Sequence, residues 1–577
     1  RRDLRFEPGE SLIRAFVYDY TPQKFGYVRL DNVPDELVVW DVTDSRDVKA
    51  LPFRKDEGSA KVRYLTRYKK DGMMLAFDPR ADHRHIRSYS DVPNQNLHSL
   101  GLDKMPGMLI ITLPELKPAA DRLAALHREV DGMEVAVVLS DEVVNEFSDG
   151  VPDPMAYRAI AKMLYDRDDA DNRVFRNLLL LGPSIRDNRN VLGIVPPTGT
   201  LIANESYLSR DGDNTYCLND WYGMLADCTE YGPESLNLYR VPMDIGVGLL
   251  PCNTLAQADN YVDKVAAAYA DDTYAQWLGE YIYSADGTNN NEHQNWCELL
   301  WQSSRDASQN ALTGSKLYNN LYDAGGTKRE FIRRMKEGAF LSTYVGHASS
   351  IGLNSEFWRI GDENSLTNRR LGFMNFAACS VSPFDSNDLG TGCAMLFEPD
   401  HGIVGTILTS RSGYSSQNYE FMNVVQRSFL LDHPSSDALL SAPRTVGEVY
   451  AMAKSNLNIS NNEMAYHLIC DPALTLPFPT AGVDVRLDNA DGLYPGTRAA
   501  LTGSVNDRQG NLLKGFNGNV AVKIYSAPVK RKTSTRNGSP SVELTLDENL
   551  VSAGEFEVTD GRFSGEIFIP ISMGATG

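Results

Sequence analysis

Between Met108 and Thr409 the chain repeats one unit: a short apolar run, a break at glycine or a polar residue, then a helix-length amphipathic stretch. MLIITLP, MEVAVVLS, NLLLLG and MDIGVGLL open the series, and the runs Gly279 to Ala285, Phe340 to Val345, Leu371 to Ala378 and Gly402 to Thr409 continue it. Runs this short and this uniformly apolar predict strands covered on both faces. PAADRLAALHREVDG, Tyr157 to Asp166 and Leu255 to Ala270 carry the 3.6-residue period and predict helices between them. Strand and helix in alternation predict a parallel sheet with helices on both sides.

The flanks have another texture. Residues 1 to 104 alternate β-rich runs (SLIRAFVYDY, GYVRLDNV, ELVVWDVTD) with turn residues and predict a β-sandwich-like domain. After CDPALTLPFPTAGVDV the chain turns β-rich again, and residues 479–577 predict an immunoglobulin-like sandwich, truncated soon after FSGEIFIPI. The α/β part between them divides into 105–275 and 276–478. A chain of 577 residues exceeds what one core supports, which agrees with several domains.

Charge narrows the partners. With 56 basic against 76 acidic residues the net charge is −20, which opposes nucleic acid phosphates and bare anionic membrane. No apolar run approaches the ~20 residues that span a bilayer, and the opening RRDLRFEPGE holds no signal-peptide core. The seven cysteines include no CxxC pair, so neither a zinc ribbon nor a dense disulfide framework is indicated.

In a parallel α/β sheet the residues just past the strands' carboxyl ends converge on one edge, where ligands bind. GEYIYSA ends at Asp286, FLSTYV at Gly346 and His347, and LGFMNFAA at Cys379. Roughly thirty residues separate His347 from Cys379, the length of one βαβ crossover, so the two can sit on neighbouring strands. An imidazole beside a thiol lowers its pKa and can protonate a leaving amine, and a carboxylate can orient the ring. A lone cysteine after an apolar strand is more commonly a small buried hydrophobe, so spacing alone does not establish catalysis.

At these residues the chain resembles the gingipain-like cysteine peptidases, family C25, and among them the PorU-type sortases of the type IX secretion system. YVGHASS followed by FAACSVSPFD is similar to that family's histidine and cysteine segments, and YSADGTNNNEHQN to its acid-bearing loop. VPNQNLHSL, MLIIT, NEFSDGVPDPMAYR, LLLLGPSIRDNR, DWYGML, DIGVGLLP and CDPALTLPFP follow in the family's order, so the likeness runs from about Val39 to Pro479. It implies a caspase-like α/β catalytic region in two subdomains flanked by β-sandwich domains. Cys379 would be the nucleophile, His347 its acid/base partner and Asp286 the orienting acid. The backbone N–H groups of Ala348 and Cys379 would form the oxyanion hole. The implied substrates are secreted cargo proteins with a C-terminal sorting domain. The acyl group would pass to an amine on anionic lipopolysaccharide, or to water. The implied setting is the extracellular face of the outer membrane, beside a β-barrel partner of PorV type. No cofactor is required, although gingipains hold calcium. The other reading is a catalytically weak or inactive docking module of the same fold.

The chain departs from the family pattern at Ala348, Pro183 and Leu249, where glycine, an acid and arginine are usual. In arginine-cutting gingipains an aspartate of the acid-bearing loop receives the substrate's guanidinium. Asn290 aligns there, which implies a specificity pocket that does not favour a basic side chain. Elsewhere the nine histidines and the acids give weaker candidates. His293, Cys297 and Glu298 have helical spacing but read as a solvated helix face, and no metal site is expected. His83 and His85 read as loop residues, and Asp211 and Asp213 as an ordinary turn, the place for calcium if one binds. The basic run PVKRKTSTRNG reads as a solvated hairpin loop.

Overall fold

The computed structural model describes residues 3–18, 25–44, 46–65, 71–81, 91–204, 217–226, 242–270, 275–307, 313–430, 445–456, 461–476, 481–488, 494–507, 509–535, 538–546 and 550–571. Residues 1–93 and 94–577 form two compact units. In the first unit, Asp3–Arg5, Phe25–Asp31, Ser59–Leu65 and Phe53–Asp56 make one four-stranded sheet; Leu12–Tyr18, Asp71–Phe77, Val38–Asp41 and Lys49–Ala50 make a second. Leu30 and Val62 of the first pack with Val39, Met74 and Ala76 of the second, so alternate residues of each sheet build a sandwich core.

The second unit opens with β1 (Met108–Thr112), α1 (Lys117–Val130), β2 (Val135–Leu139), α2 (Met155–Arg167), β3 (Asn177–Leu181), β4 (Gly246–Leu250) and α3 (Leu255–Ala270). The four strands form a wholly parallel sheet in the order β2-β1-β3-β4. Every residue of β1, β3 and β4 is buried, as helices on both faces require. On α1, Ala119, Ala120, Leu123, Ala124 and His127 share the buried stripe, so its one histidine faces inward.

The second sheet contains β5 (Glu280–Ala285), β6 (Thr313–Tyr318), β7 (Leu341–Val345), β8 (Gly372–Ala377), β9 (Ile403–Thr409) and β10 (Tyr466–Ile469). Its order is β6-β5-β7-β8-β9-β10. All neighbours are parallel except β9 and β10, so the sheet is mixed at one edge. One hydrophobic core runs through both sheets. The glycines of β4 make that junction close: a Cβ on Gly248 would stand 2.4 Å from the Cys470 carbonyl oxygen and 2.7 Å from Pro472.

Beyond it, Ala481–Leu487, Arg498–Asp507 and Arg562–Phe568 form a three-stranded antiparallel sheet, and Gly518–Tyr525 pairs with Leu550–Val558. Leu501, Val505, Val558, Phe563 and Ile567 fill the core between them. A hairpin of Val529–Lys532 and Glu543–Leu546 leaves this domain, and its Leu544 and Leu546 join the α/β core instead. Among the described residues no helix is long and apolar enough to cross a membrane.

Candidate active site

The register of the second sheet sets three strand ends level. Ala285 pairs with Val345, and Val345 with Ala377. The ladder continues one step further, because the Asp286 N–H donates to the Val345 carbonyl at 3.0 Å and the Gly346 N–H to the Ala377 carbonyl at 3.2 Å. Asp286 is thus one residue past the common line, and His347 and Cys379 are each two past it on adjacent strands. Neighbouring strands lie ~4.8 Å apart, so the topology brings imidazole and thiol to adjoining positions at the carboxyl edge. β6 lies between β5 and β7 in the chain but on the far side of β5 in the sheet. The three site strands are therefore neighbours in space without being consecutive in sequence.

Cys379 is half-buried and His347 exposed, whereas Asp286 is fully buried. The Cys379 thiol donates to the Gly413 carbonyl at 3.3 Å and accepts from the Gly413 N–H at 3.4 Å. Ser380, the next residue, has φ 46° and donates its N–H to the Arg411 carbonyl at 2.9 Å. This left-handed step turns the chain sharply just after the thiol. Below it, Arg411 is buried against Asp385, with one N–H···O contact of 2.9 Å.

Asp286 holds the main chain around His347. One carboxylate oxygen accepts from the Thr288 N–H at 2.9 Å and from Asn354 Nδ2 at 2.8 Å; the other accepts from the His347 N–H at 3.3 Å. No hydrogen bond joins Asp286 to the His347 ring, whose Nε2 instead lies 3.1 Å from Asn289 Nδ2. The Tyr344 hydroxyl donates to the His347 carbonyl at 2.8 Å. Burial raises the Tyr344 pKa well above its ordinary value, and the nearby Asp286 and Cys379 raise it further. That phenol stands among all three residues.

Ala348 lies in Ala348–Ser349, which pairs with Gly352–Leu353. The Asn354 N–H donates to the His347 carbonyl at 3.0 Å, which makes 347/354 a bonded pair. By antiparallel alternation the Ala348 N–H then points away from its partner strand. Asn289, Asn290 and Asn291 take φ of 53°, 53° and 64°, a run of left-handed residues that asparagine tolerates better than most. Asn290 is exposed. Glu292 follows, accepts from the Ser415 hydroxyl and from Trp296 Nε1 at 3.4 Å, and has a lowered pKa caused first by the Ser415 bond. Leu249 is buried inside β4, and the Pro183 carbonyl accepts from the Leu201 N–H at 2.7 Å.

Two sequence expectations are corrected. The segment His293, Cys297 and Glu298 is not a solvated face. It lies on α4 (Glu292–Ala307) with His293 and Cys297 buried and Glu298 bonded to Lys316 and Tyr318, because α4 packs on β5. His293 joins the site: its ring stands edge-on to that of His347 with centroids 4.9 Å apart, and its Nδ1 is 4.0 Å from Asp286. The hairpin carrying the basic run is likewise not a free loop. Ser539 donates to the Gly287 carbonyl at 2.7 Å, Asn291 Nδ2 to the Pro540 carbonyl at 2.7 Å, and the Ser534 N–H to the Asn320 carbonyl at 2.8 Å. Lys530, Arg531 and Lys532 do stay exposed. His83, His85, Asp211 and Asp213 lie outside the described residues. A cleft of about 670 Å³ between β5, β6 and the C-terminal domain contains Trp277, Trp301, Lys316, Arg370 and Lys523, but none of the residues at the carboxyl edge.

The likeness to known proteins lies in the family and the fold. The family model for peptidase family C25 matches residues 102–477, more than half of the chain. No curated protein matches. Among solved structures, the dimeric latent PorU of Porphyromonas gingivalis has a TM-score of 0.51 at 22% identity; the match covers 98% of this chain and 49% of that one. The chain thus spans about half the length of that structure. The Arg-specific cysteine proteinase gingipain R has a TM-score of 0.49 at 14% identity, covering 84% of this chain and 94% of its own. The complex of the pro- and mature domains of RgpB from Porphyromonas gingivalis likewise gives 0.49 at 14%, covering 81% and 94%. With its parallel-sheet catalytic region and flanking antiparallel sheets, the chain belongs to peptidase family C25.

Proposed function

We propose that this chain acts as a cysteine endopeptidase of sortase type, with Cys379 as nucleophile, His347 as acid/base and Asp286 as the group that positions His347. One observation carries the reading: the strand register delivers His347 and Cys379 level with each other on adjacent strands. His347 takes the thiol proton as sulfur attacks the scissile carbonyl. The C–N bond breaks, and the imidazolium gives that proton to the leaving amine. The N–H groups of Ala348 and Cys379 receive the oxyanion of each tetrahedral intermediate. The resulting thioester is resolved by an amine or by water, whose proton passes through His347 to restore the thiol.

The substrates we propose are secreted cargo proteins, cleaved before a C-terminal sorting domain. The acceptor is an amine on anionic lipopolysaccharide, and the place is the extracellular face of the outer membrane beside a PorV-type β-barrel. These rest on the resemblance in the motifs around His347 and Cys379. Calcium, which the resemblance allows, is not needed for any of these bond changes. A docking module without catalysis is the second reading, favoured by the thiol's engagement with Gly413 in place of the imidazole.

Incubating the chain with a cargo sorting domain and an amine donor, then weighing the products, separates the readings. Cargo heavier by the donor shows transfer, and cargo plus water shows hydrolysis. Intact cargo, together with labelling of Cys379 by an electrophile no faster than that of a free thiol near neutral pH, establishes the docking module.

A further inference from the structure

We propose that Asp286, His293 and His347 form a binding site for one zinc-class divalent cation, and that the bound cation switches the peptidase site off. The three residues each offer one ligand atom, and these atoms lie within 4.8 Å of one another. His293 is 5% exposed, and its Nδ1 has no hydrogen-bond partner among the described residues. Folded proteins seldom leave a buried polar nitrogen unmet, and this one faces a carboxylate oxygen 4.0 Å away.

The spacing suits an ion. Zinc bonds of ~2.0–2.1 Å in a tetrahedron put ligand atoms roughly 3.3 Å apart, so atoms that lie within 4.8 Å must close by at most about 1.5 Å. His347 is the exposed member and can supply most of that movement, while buried Asp286 and His293, 4.0 Å apart, need only a small side-chain adjustment. Two imidazoles and one carboxylate suit zinc rather than calcium or magnesium, and water completes the shell. The outer shell is already built: Thr288 and Asn354 hold one oxygen of Asp286, which aims the other towards the rings.

The consequence for His347 is chemical. A neutral imidazole has a single free lone pair, and a metal bond on either nitrogen uses it. The ring can then no longer accept the Cys379 proton. This off state needs no change in Cys379 and is reversed by a chelator. The inhibition rests on the catalytic reading above, whereas the binding does not.

Cobalt titration of the metal-free full chain tests the binding, with zinc as competitor. We expect one cobalt per chain, visible d–d bands without a sulfur-to-cobalt charge-transfer band, and displacement by zinc. Affinity should be unchanged in Cys379→Ser and fall about 10-fold or more in both His293→Ala and His293→Gln, the second variant guarding against a cavity effect. A strong charge-transfer band, lost in Cys379→Ser and kept in the His293 variants, would place the metal on the thiol and overturn the proposal. So would no binding at any cobalt concentration up to the millimolar range. In the activity arm, zinc should inhibit cleavage, a chelator should restore it, and the His293 variants should need about 10-fold more zinc. If metal binds as described and no cargo is ever cleaved, the peptidase reading fails and the site stands.

Discussion

His347 is gripped by its main chain, and this changes what its neighbours are for. One oxygen of Asp286 receives the His347 N–H and the other receives Thr288 and Asn354, so the carboxylate fixes where the strand end stops rather than how the ring spins. Asp286→Asn would set an amide N–H against one of these donors while keeping the other contacts. Losing one buried hydrogen bond of this kind costs ~1–3 kcal/mol, so we expect single-turnover cleavage to fall about 10- to 100-fold. Cys379→Ala should abolish it, since every other cysteine among the described residues is buried and cannot form the acyl intermediate. Equal inactivity of the two variants, at equal melting temperature, would contradict the positioning role. Gly346 sets the same point from the other side. A Cβ there would stand 2.5 Å from the Asp286 Cβ and 2.6 Å from the Tyr344 hydroxyl. Gly346→Ala should therefore displace Asp286 and lower cleavage by at least about 10-fold, with a lower melting temperature. The sequence made the positions of Asp286, His347 and Cys379 legible, because strand ends are marked by an apolar run that stops. Asn289, His293, Tyr344 and Gly413 were hidden, since each reaches the site through a contact between elements or a left-handed backbone that no periodicity records.

Among the elements, the strands of the first sheet and the buried strands of the second were readable, and the edges of the second sheet were not. β1, β3, β7 and β9 are buried throughout and mostly apolar, with only an asparagine, a serine or threonines among them, and a run of that kind marks a segment covered on both faces. β6 reads TGSKLY, half-exposed at the sheet edge, and β10 is a four-residue antiparallel strand; neither carries a pattern that separates it from a loop. The hairpin of Val529–Lys532 and Glu543–Leu546 misled for a related reason. Its charges are exposed as their type requires, while the work of docking falls to small and apolar residues, Ser539, Leu544 and Leu546. Through Gly287 and Asn291 the hairpin braces the loop that follows Asp286. Removing both side-chain contacts, with Ser539→Ala and Asn291→Ala together, should loosen that loop by about 1–3 kcal/mol. We expect faster amide hydrogen exchange at Thr288–Asn291, with β7 and β8 unchanged. Exchange that rises equally in all three places would mean that the hairpin supports the whole sheet instead.

At the scale of the molecule, buried charges join the two sheets, and their titrations oppose each other. His127 on α1 lies between Asp131 and Asp471, each 2.6 Å from a ring nitrogen. Asp471 belongs to the CDPAL segment just past β10, so this contact ties the first sheet's helix to the second sheet's end. Burial lowers the His127 pKa, but Asp471 and Asp131 outweigh it and hold it at about 10. Lys264 on α3 donates to the Met395 and Leu396 carbonyls at 3.3 and 2.8 Å, and burial brings its pKa down to about 7 in spite of Glu398 and Asp400. The signs follow from linkage. Between the unfolded histidine value near 6.5 and about 10, the folded chain holds a proton at His127 that the unfolded chain has lost, so stability falls as pH rises. From about 7 to the unfolded lysine value of 10.5, the unfolded chain holds a proton that folded Lys264 lacks, so stability rises. Each slope is about 1.4 kcal/mol per pH unit where one state is fully charged, and over the shared window they cancel. Denaturant midpoints of the full chain should thus show little contribution from this pair between pH 7.5 and 9.5, a range set by roughly half a unit inside the two folded values. His127→Gln should unmask an upward slope and Lys264→Met a downward one, each relative to the parent. The test lies in the slopes, because either substitution also lowers stability at every pH by leaving buried partners unmet. Parallel curves for parent and His127→Gln would show that the histidine is not held protonated between its two carboxylates, and that the tie between the sheets is an ordinary neutral hydrogen bond.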